Sequence, residues 1–447
     1  MTSNKNKNFY KIILTLAVPI IIQNLITSSL NLVDNVMIGT LGENEIAAVG
    51  LANQYFFIFM MSMTGITGGT SIFLSQYYGK KDTKSIKNFM GITFVIGTIV
   101  ASAFAILAFF TPVFVMKIFT KDTTVINLGV SYLRIVSLSY IFTIVTLTFS
   151  TALRSTGQAS LPMAGSIIGI LSNAGFNYIF IFGKLGLPAM GVRGAALGTT
   201  FSRLLEMLFV VTIIYAKNYS VKCRLNELLF TKHQFKNFMK TATPVIFNDI
   251  MWSLGISAYS IAYAKVGTNA LASMQIAITI NNLFNIFGTG LAAATAIIIG
   301  NKIGESKKDL AIEYTHKISK ISVALGIIIG LTLILTSPLI VKLFNITAET
   351  KAITLTVLKI MAIITPLRFF NITMIIGAFR GGGDVNYAIF TELICVWGIA
   401  VPLSFIGATI LHLNIIWVYM LVCFEEIVKL FFEIPRFKSN RWIKEVI

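Results

Sequence analysis

Apolar residues fill this chain in long blocks separated by short polar turns. Roughly twelve blocks reach the ~20 residues a helix needs to cross a bilayer core. They begin near Ile12, Leu51, Phe89, Val125, Leu161, Ala195, Ala242, Met274, Ile318, Ile353, Tyr387 and Ile415. Strand-like alternation is absent, which speaks against a membrane β-barrel. Helices satisfy their own backbone polar groups, as lipid requires. The pattern therefore predicts an all-α integral membrane protein of twelve spans. The first block follows Lys5, Lys7 and Lys11 and runs to about Gly39 with no small-residue cleavage site after it. It reads as a retained helix and not as a signal peptide.

Composition sharpens this picture. Of 447 residues, 55% are hydrophobic and 12% charged, about half the ~25% charge of a soluble domain. A wet-surfaced globule and a disordered chain are both excluded. Three widely spaced cysteines exclude a disulfide scaffold. The net charge of +18 would suggest a nucleic-acid partner, but its distribution gives another account. The N-terminus, the connections after spans 2, 4, 6, 8 and 10, and the C-terminus hold about 24 Lys and Arg; the opposite connections hold about 7. That asymmetry is a positive-inside signal and predicts two cytoplasmic termini. No nucleic-acid partner is expected.

The two halves repeat at a register of about 225 residues. Pro19 matches Pro244, Gly42 matches Gly267, and Gln76 and Gly79 match Asn301 and Gly304. After a one-residue shift, Pro112 matches Pro338, and Ala152, Arg154 and Gly157 match Ala378, Arg380 and Gly383. Arg203 matches Lys429. Six spans per half give the halves one orientation, a transporter plan with substrate near the midplane. The expected division is an N-lobe over 1–216, a basic cytoplasmic linker over 217–240 and a C-lobe over 241–447.

Ionisable residues inside spans are functional candidates. Asp34 stands out, in the outer third of the first span with no basic residue three or four positions away. Such a carboxyl can hold and release a proton or hold a sodium ion; alternatively, it ends a shorter helix. Pro19 upstream removes a backbone hydrogen bond and permits a bend. Asn173 and Asn177 share one face of the fifth span and suit either a polar cavity wall or interhelical bonding. Arg203 with Glu206, and Glu425 or Glu426 with Lys429, are spaced for self-neutralising pairs, with Glu392 as a candidate third partner in the second half. Asp249 either acts in the site or follows the start of its helix at Pro244. Gln23 and Thr199 complete the polar positions assigned to the cavity network. The glycine-rich turns after Arg154 and Arg380 lack the lysine and strand of a phosphate loop. His233, His316 and His412 show no metal spacing. No metal, cofactor or catalytic arrangement is expected.

Several segments together resemble the multidrug and toxic compound extrusion (MATE) family. They are NLVDNVMIGTLGENEIAAVGLANQ (31–54), the fifth-to-sixth span stretch from Asn173 to Thr199, and the connections ALRSTGQAS and AFRGGGD. The resemblance implies two six-helix lobes forming a V, alternating access, and export driven by a proton or sodium gradient. It makes Pro19 the bending proline, Asp34 the coupling carboxylate and Asn173 a cavity position. Two departures stand out: Asn177 replaces an acid common in relatives, and Trp252 stands where some relatives carry a glutamate. The expectation is a monomeric antiporter of the bacterial inner membrane, exchanging organic, cationic compounds for protons or sodium. The alternatives are a lipid or lipid-linked saccharide flippase and an intramembrane enzyme.

Overall fold

The computed structural model describes residues 2–344 and 346–447, and for residues 2–7, 30–33, 35 and 36 the helical backbone alone. The side chains of Asn31, Leu32, Val33 and Asn35, within the first-span signature, therefore lie outside the description. Helices account for the fold. They are α1 (Thr2–Gly39), α2 (Glu43–Gly79), α3 (Thr83–Phe110), a short helix Pro112–Phe119 after it, and α4, made of Thr123–Val136 and Ser139–Ser155. Next come α5 (Ser160–Phe182), α6 (Val192–Ala216), α7 (Lys232–Val266), α8 (Thr268–Gly304) and α9 (Lys308–Val341). The chain ends with α10 (Ala348–Arg380), α11 (Val385–Ile410) and α12 (Ile415–Lys438). Among the described residues, the only β-contact noted is one isolated bridge, Gly383 with Ile443.

Ten of these helices are individually long and apolar enough to span a membrane. The two pieces of α4, bent by 49°, make an eleventh together. Helix α12 carries Glu425, Glu426, Lys429 and Glu433, all buried against protein. These side chains are turned onto protein and not lipid, so the helix need not be uniformly apolar. Helix α7 begins at Lys232, inside the segment expected as linker, and a short turn at Leu225–Leu228 lies ahead of it.

The repeat is visible in the backbone. Gly42 and Gly267 precede α2 and α8 with φ of 149° and 148°. Lys81 and Ser306 follow the same helices at 63° and 59°, a conformation uncommon for residues with a Cβ. Gly157 and Gly383, after α4 and α10, lie at 83° and 89°. Turn residues fixed in matching conformations position matching helices.

Compactness divides the chain inside helices, just past Pro19 and Pro244. One unit holds residues 22–246, the other residues 1–21 with 247–447. In the first, Gly65 and Gly69 of α2 lie so close to Ile246 and Ala242 of α7 that a Cβ on either would come within 3 Å of them. In the second, Gly290 of α8 takes Ile21 of α1 in the same way. Phe9 packs on Tyr314 there, and Phe238 on Phe73 and Phe89 in the first unit.

Candidate functional site

Within residues 22–246, one stripe of polar side chains runs along each of three helices. Gln23 and Asp34 are about three turns apart on α1 and share a face. Ser166, Gly169, Asn173 and Asn177 line one face of α5 at spacings of three and four. Thr199, Ser202, Arg203 and Glu206 do so on α6.

At the Asp34 end, Asn177 Nδ2 donates to Asp34 Oδ1 at 2.6 Å and to Asn173 Oδ1 at 3.1 Å. Asn173 Nδ2 in turn donates to Thr199 Oγ1 at 3.4 Å. Both asparagines are fully buried. Gly198 makes this possible, because a Cβ there would overlap Asn177 Oδ1. Asp34 makes no ion pair among the described residues, and the cation acting on it is Arg203. The carboxyl is thus oriented by an amide.

At the Gln23 end, Arg154 Nη2 donates to Gln23 Oε1 at 2.7 Å and Gln23 Nε2 to Ser166 Oγ at 3.0 Å. Ser166 Oγ donates to Glu206 Oε1 at 3.0 Å, and Arg203 Nη1 pairs with Glu206 Oε2 at 2.9 Å. A narrow cleft lies along this network, lined by Ile26, Thr27, Ser166, Gly169, Ile170, Ser202, Arg203 and Glu206.

The second half holds its own network. Asn248 Nδ2 donates to Glu392 Oε2 at 2.7 Å. Arg380 reaches Glu392 at 3.0 Å and Asp249 at 3.2 Å. On α12, Lys429 lies 3.4 Å from Glu425 and 3.6 Å from Glu426. Arg368 pairs with Glu426 at 3.0 Å, Asn371 donates to Glu426 at 2.8 Å, and Tyr259 OH donates to Glu425 at 2.8 Å.

The structure thus brings Asp34, Asn173, Asn177 and Thr199 together, and Gln23 with Glu206 and Arg203 through Ser166. Asp249 faces Arg380. Glu392, expected as a third partner in the network of the second half, bonds Arg380 and Asn248. Pro19 and Pro244 sit inside continuous helices. Trp252 is 40% exposed. The residues missed by sequence reasoning include Arg154, Ser166, Asn248, Tyr259, Asn371, Arg380 and Glu433. The two arginines were signalled by their matching repeat positions; Ser166 and Glu433 had no comparable signal. Among the described residues, no group of three or more His, Cys, Asp or Glu is placed to hold a metal.

Duplicated halves of membrane-spanning helices, with ionisable and amide side chains turned onto protein and not lipid, define a membrane transporter. The chain belongs to the MatE family, whose model matches residues 19–179 and again 244–406, one match per half. It is similar to the uncharacterized transporter YisQ of Bacillus subtilis, at 26% identity over 92% of this chain and 90% of that one. It is also similar to the "Probable multidrug resistance protein NorM" of Thermotoga maritima, at 22% identity over 98% and 94%. A solved outward-facing multidrug resistance MATE family transporter shares the fold, with a TM-score of 0.87 at 20% identity over 96% of both chains. A MATE structure in a bent conformation gives 0.87 at 21% over 97% and 96%.

Proposed function

We propose that this chain is a secondary antiporter that exports organic, cationic compounds in exchange for protons or sodium ions. Its binding site opens alternately to the two sides of a bacterial inner membrane. Residues 1–216 and 241–447 serve as the two lobes, and the termini and the basic 217–240 segment face the cytoplasm, in keeping with the Lys and Arg asymmetry. The relatives named as multidrug resistance proteins support drug export.

One observation carries the reading: the Asp34 carboxyl is held by the Asn177 amide at 2.6 Å, with no cation paired to it among the described residues. An inward-moving cation and an outbound substrate can then compete for one group, and each favours a different state of the protein. Lipid-linked pyrophosphate export would want cations to spare. Here Arg203, Arg368, Arg380 and Lys429 each face a carboxylate, and Arg154 faces the Gln23 amide oxygen. The test is Asp34→Asn in a dye-efflux assay, with insertion checked separately. Loss of efflux with normal insertion supports the assignment; wild-type resistance to toxic cations refutes it.

A further inference from the structure

Glu433 lies on α12 one turn beyond Lys429, with none of its surface exposed. Neither of its carboxyl oxygens has a hydrogen-bond partner among the described residues. The cations nearest to it among the described residues pair with other carboxylates. Lys429 turns to Glu425 and Glu426, Arg368 to Glu426, and Arg380 to Asp249 and Glu392. Arg436, next along the helix, pairs with Asp384 at 2.7 Å. The charges acting on Glu433 are Lys429 and Glu426 from its own helix and Glu392 from α11; Tyr387 and Cys395 of α11 face the same region. Five carboxylates, Asp249, Glu392, Glu425, Glu426 and Glu433, thus share three cations.

A bare carboxylate with no donor is among the costliest groups to bury, and one proton removes the cost. A metal ion would need several oxygen ligands converging on it, and the described residues supply no such group. Packing does not demand an acid here, because the matching position in the other repeat is Met207.

We propose that Glu433 is a proton-binding site of the C-terminal half. Its carboxyl holds a proton in the arrangement seen here. The proton is released to water, the carboxylate keeping the bonding pair, when α11 and α12 shift enough to admit it. This deepens the antiport reading, and rests on it only for the role in transport: the transporter would carry an exchangeable proton besides the cation at Asp34.

The test compares wild type, Glu433→Gln and Glu433→Met in liposomes. Infrared spectra at neutral pH, in water and heavy water, read the carbonyl stretch of protonated carboxyl groups. One such band present in wild type should vanish in both variants, and the methionine variant, copying Met207, guards against a glutamine-specific packing fault. Persistence of the full band pattern in either folded variant overturns the site, whatever the transport result. Proton flux per exported dye should fall by one in both variants. An unchanged ratio with the band lost overturns release during transport. Should wild type show no ion-coupled export at all, the antiport reading fails while the band still decides the site.

Discussion

Ser166 and Glu392 occupy the same place in the two repeats and accept the same hydrogen bond, from Gln23 at 3.0 Å and from its counterpart Asn248 at 2.7 Å. Arg154 and Arg380 are likewise counterparts and close the two networks. The halves differ in where the acid stands. In the first, the Ser166 hydroxyl passes the contact to Glu206 on α6; in the second, the carboxylate takes the serine's place, and Phe432 stands where Glu206 would be.

Ser166→Ala should therefore strand both the Gln23 amide and a Glu206 oxygen. Leaving buried polar groups unsatisfied costs about 1–3 kcal/mol, so thermal unfolding in detergent should move down by several degrees. Ser166→Glu should do more harm, since it sets a second carboxylate against Glu206. Adding Glu206→Gln to it should recover most of the loss. A double variant no better than Ser166→Glu alone would show that the two positions do not share one network.

The Asp34 end makes a separate prediction. Asn177→Ala removes the donor to the carboxyl, and Gly198→Ala crowds the Asn177 amide while leaving both partners' chemistry unchanged. Hydrogen bonds to charged groups are worth ~1.5–3 kcal/mol, so both variants should shift the apparent affinity for the coupling ion by roughly tenfold or more. Gly175→Ala, which meets no atom within 4 Å, is the control and should export dye as wild type does. Equal behaviour of Gly198→Ala and Gly175→Ala would remove Asn177 from the mechanism.

These relations show what the sequence could and could not disclose. Span count and repeat follow from hydropathy and spacing, and the rarity of buried acids singles out Asp34 as a candidate. The pairing of Arg203 with Glu206 follows from helical spacing. Long-range bonds do not. Gln23 meets Ser166 across 143 positions, and Asn248 meets Glu392 across 144. Only the repeat hinted that Arg154 and Arg380 matter, because a serine among apolar residues or a glutamate one turn from a lysine looks ordinary until its surroundings are known.

The glycine seats of α2 and α8 yield a prediction about packing. A Cβ on Gly65 would meet Ile246 Cγ1 at 2.7 Å and the backbone Cα at 3.0 Å, whereas one on Gly290 would overlap Ile21 Cγ1 with the backbone no nearer than 3.3 Å. Backbone cannot give way as a side chain can, so Gly65→Ala should lower stability more than Gly290→Ala, by about 1–3 kcal/mol. Ile21→Ala should relieve Gly290→Ala. A double-mutant cycle on melting temperature reads the coupling, and an additive result would place the two residues out of contact.

The last residues of the chain also lend themselves to a direct test. Trp442 is fully buried, donates from Nε1 to the Phe437 carbonyl at 3.3 Å, and lies against Gly382, where a Cβ would come within 3 Å of it. The Lys444 amide donates to the Gly382 carbonyl at 2.7 Å. Asp384, 1% exposed, pairs with Arg436 at 2.7 Å and Lys444 at 2.6 Å. The tail thereby fastens the turn between α10 and α11, from which Arg380 reaches the second network. Trp442→Ala should cost about 3–5 kcal/mol. Asp384→Asn, which leaves Arg436 without its anion, should also be strongly destabilising, by roughly 3–5 kcal/mol. Chain truncation after Ser439 removes Trp442 and both Lys444 contacts while keeping the Asp384–Arg436 pair, and should destabilise at least as much as Trp442→Ala and broaden unfolding of this half. A surface appendage would behave otherwise, with changes within about 0.5 kcal/mol, so a truncated protein that melts and exports like wild type would show that the tail holds nothing in place.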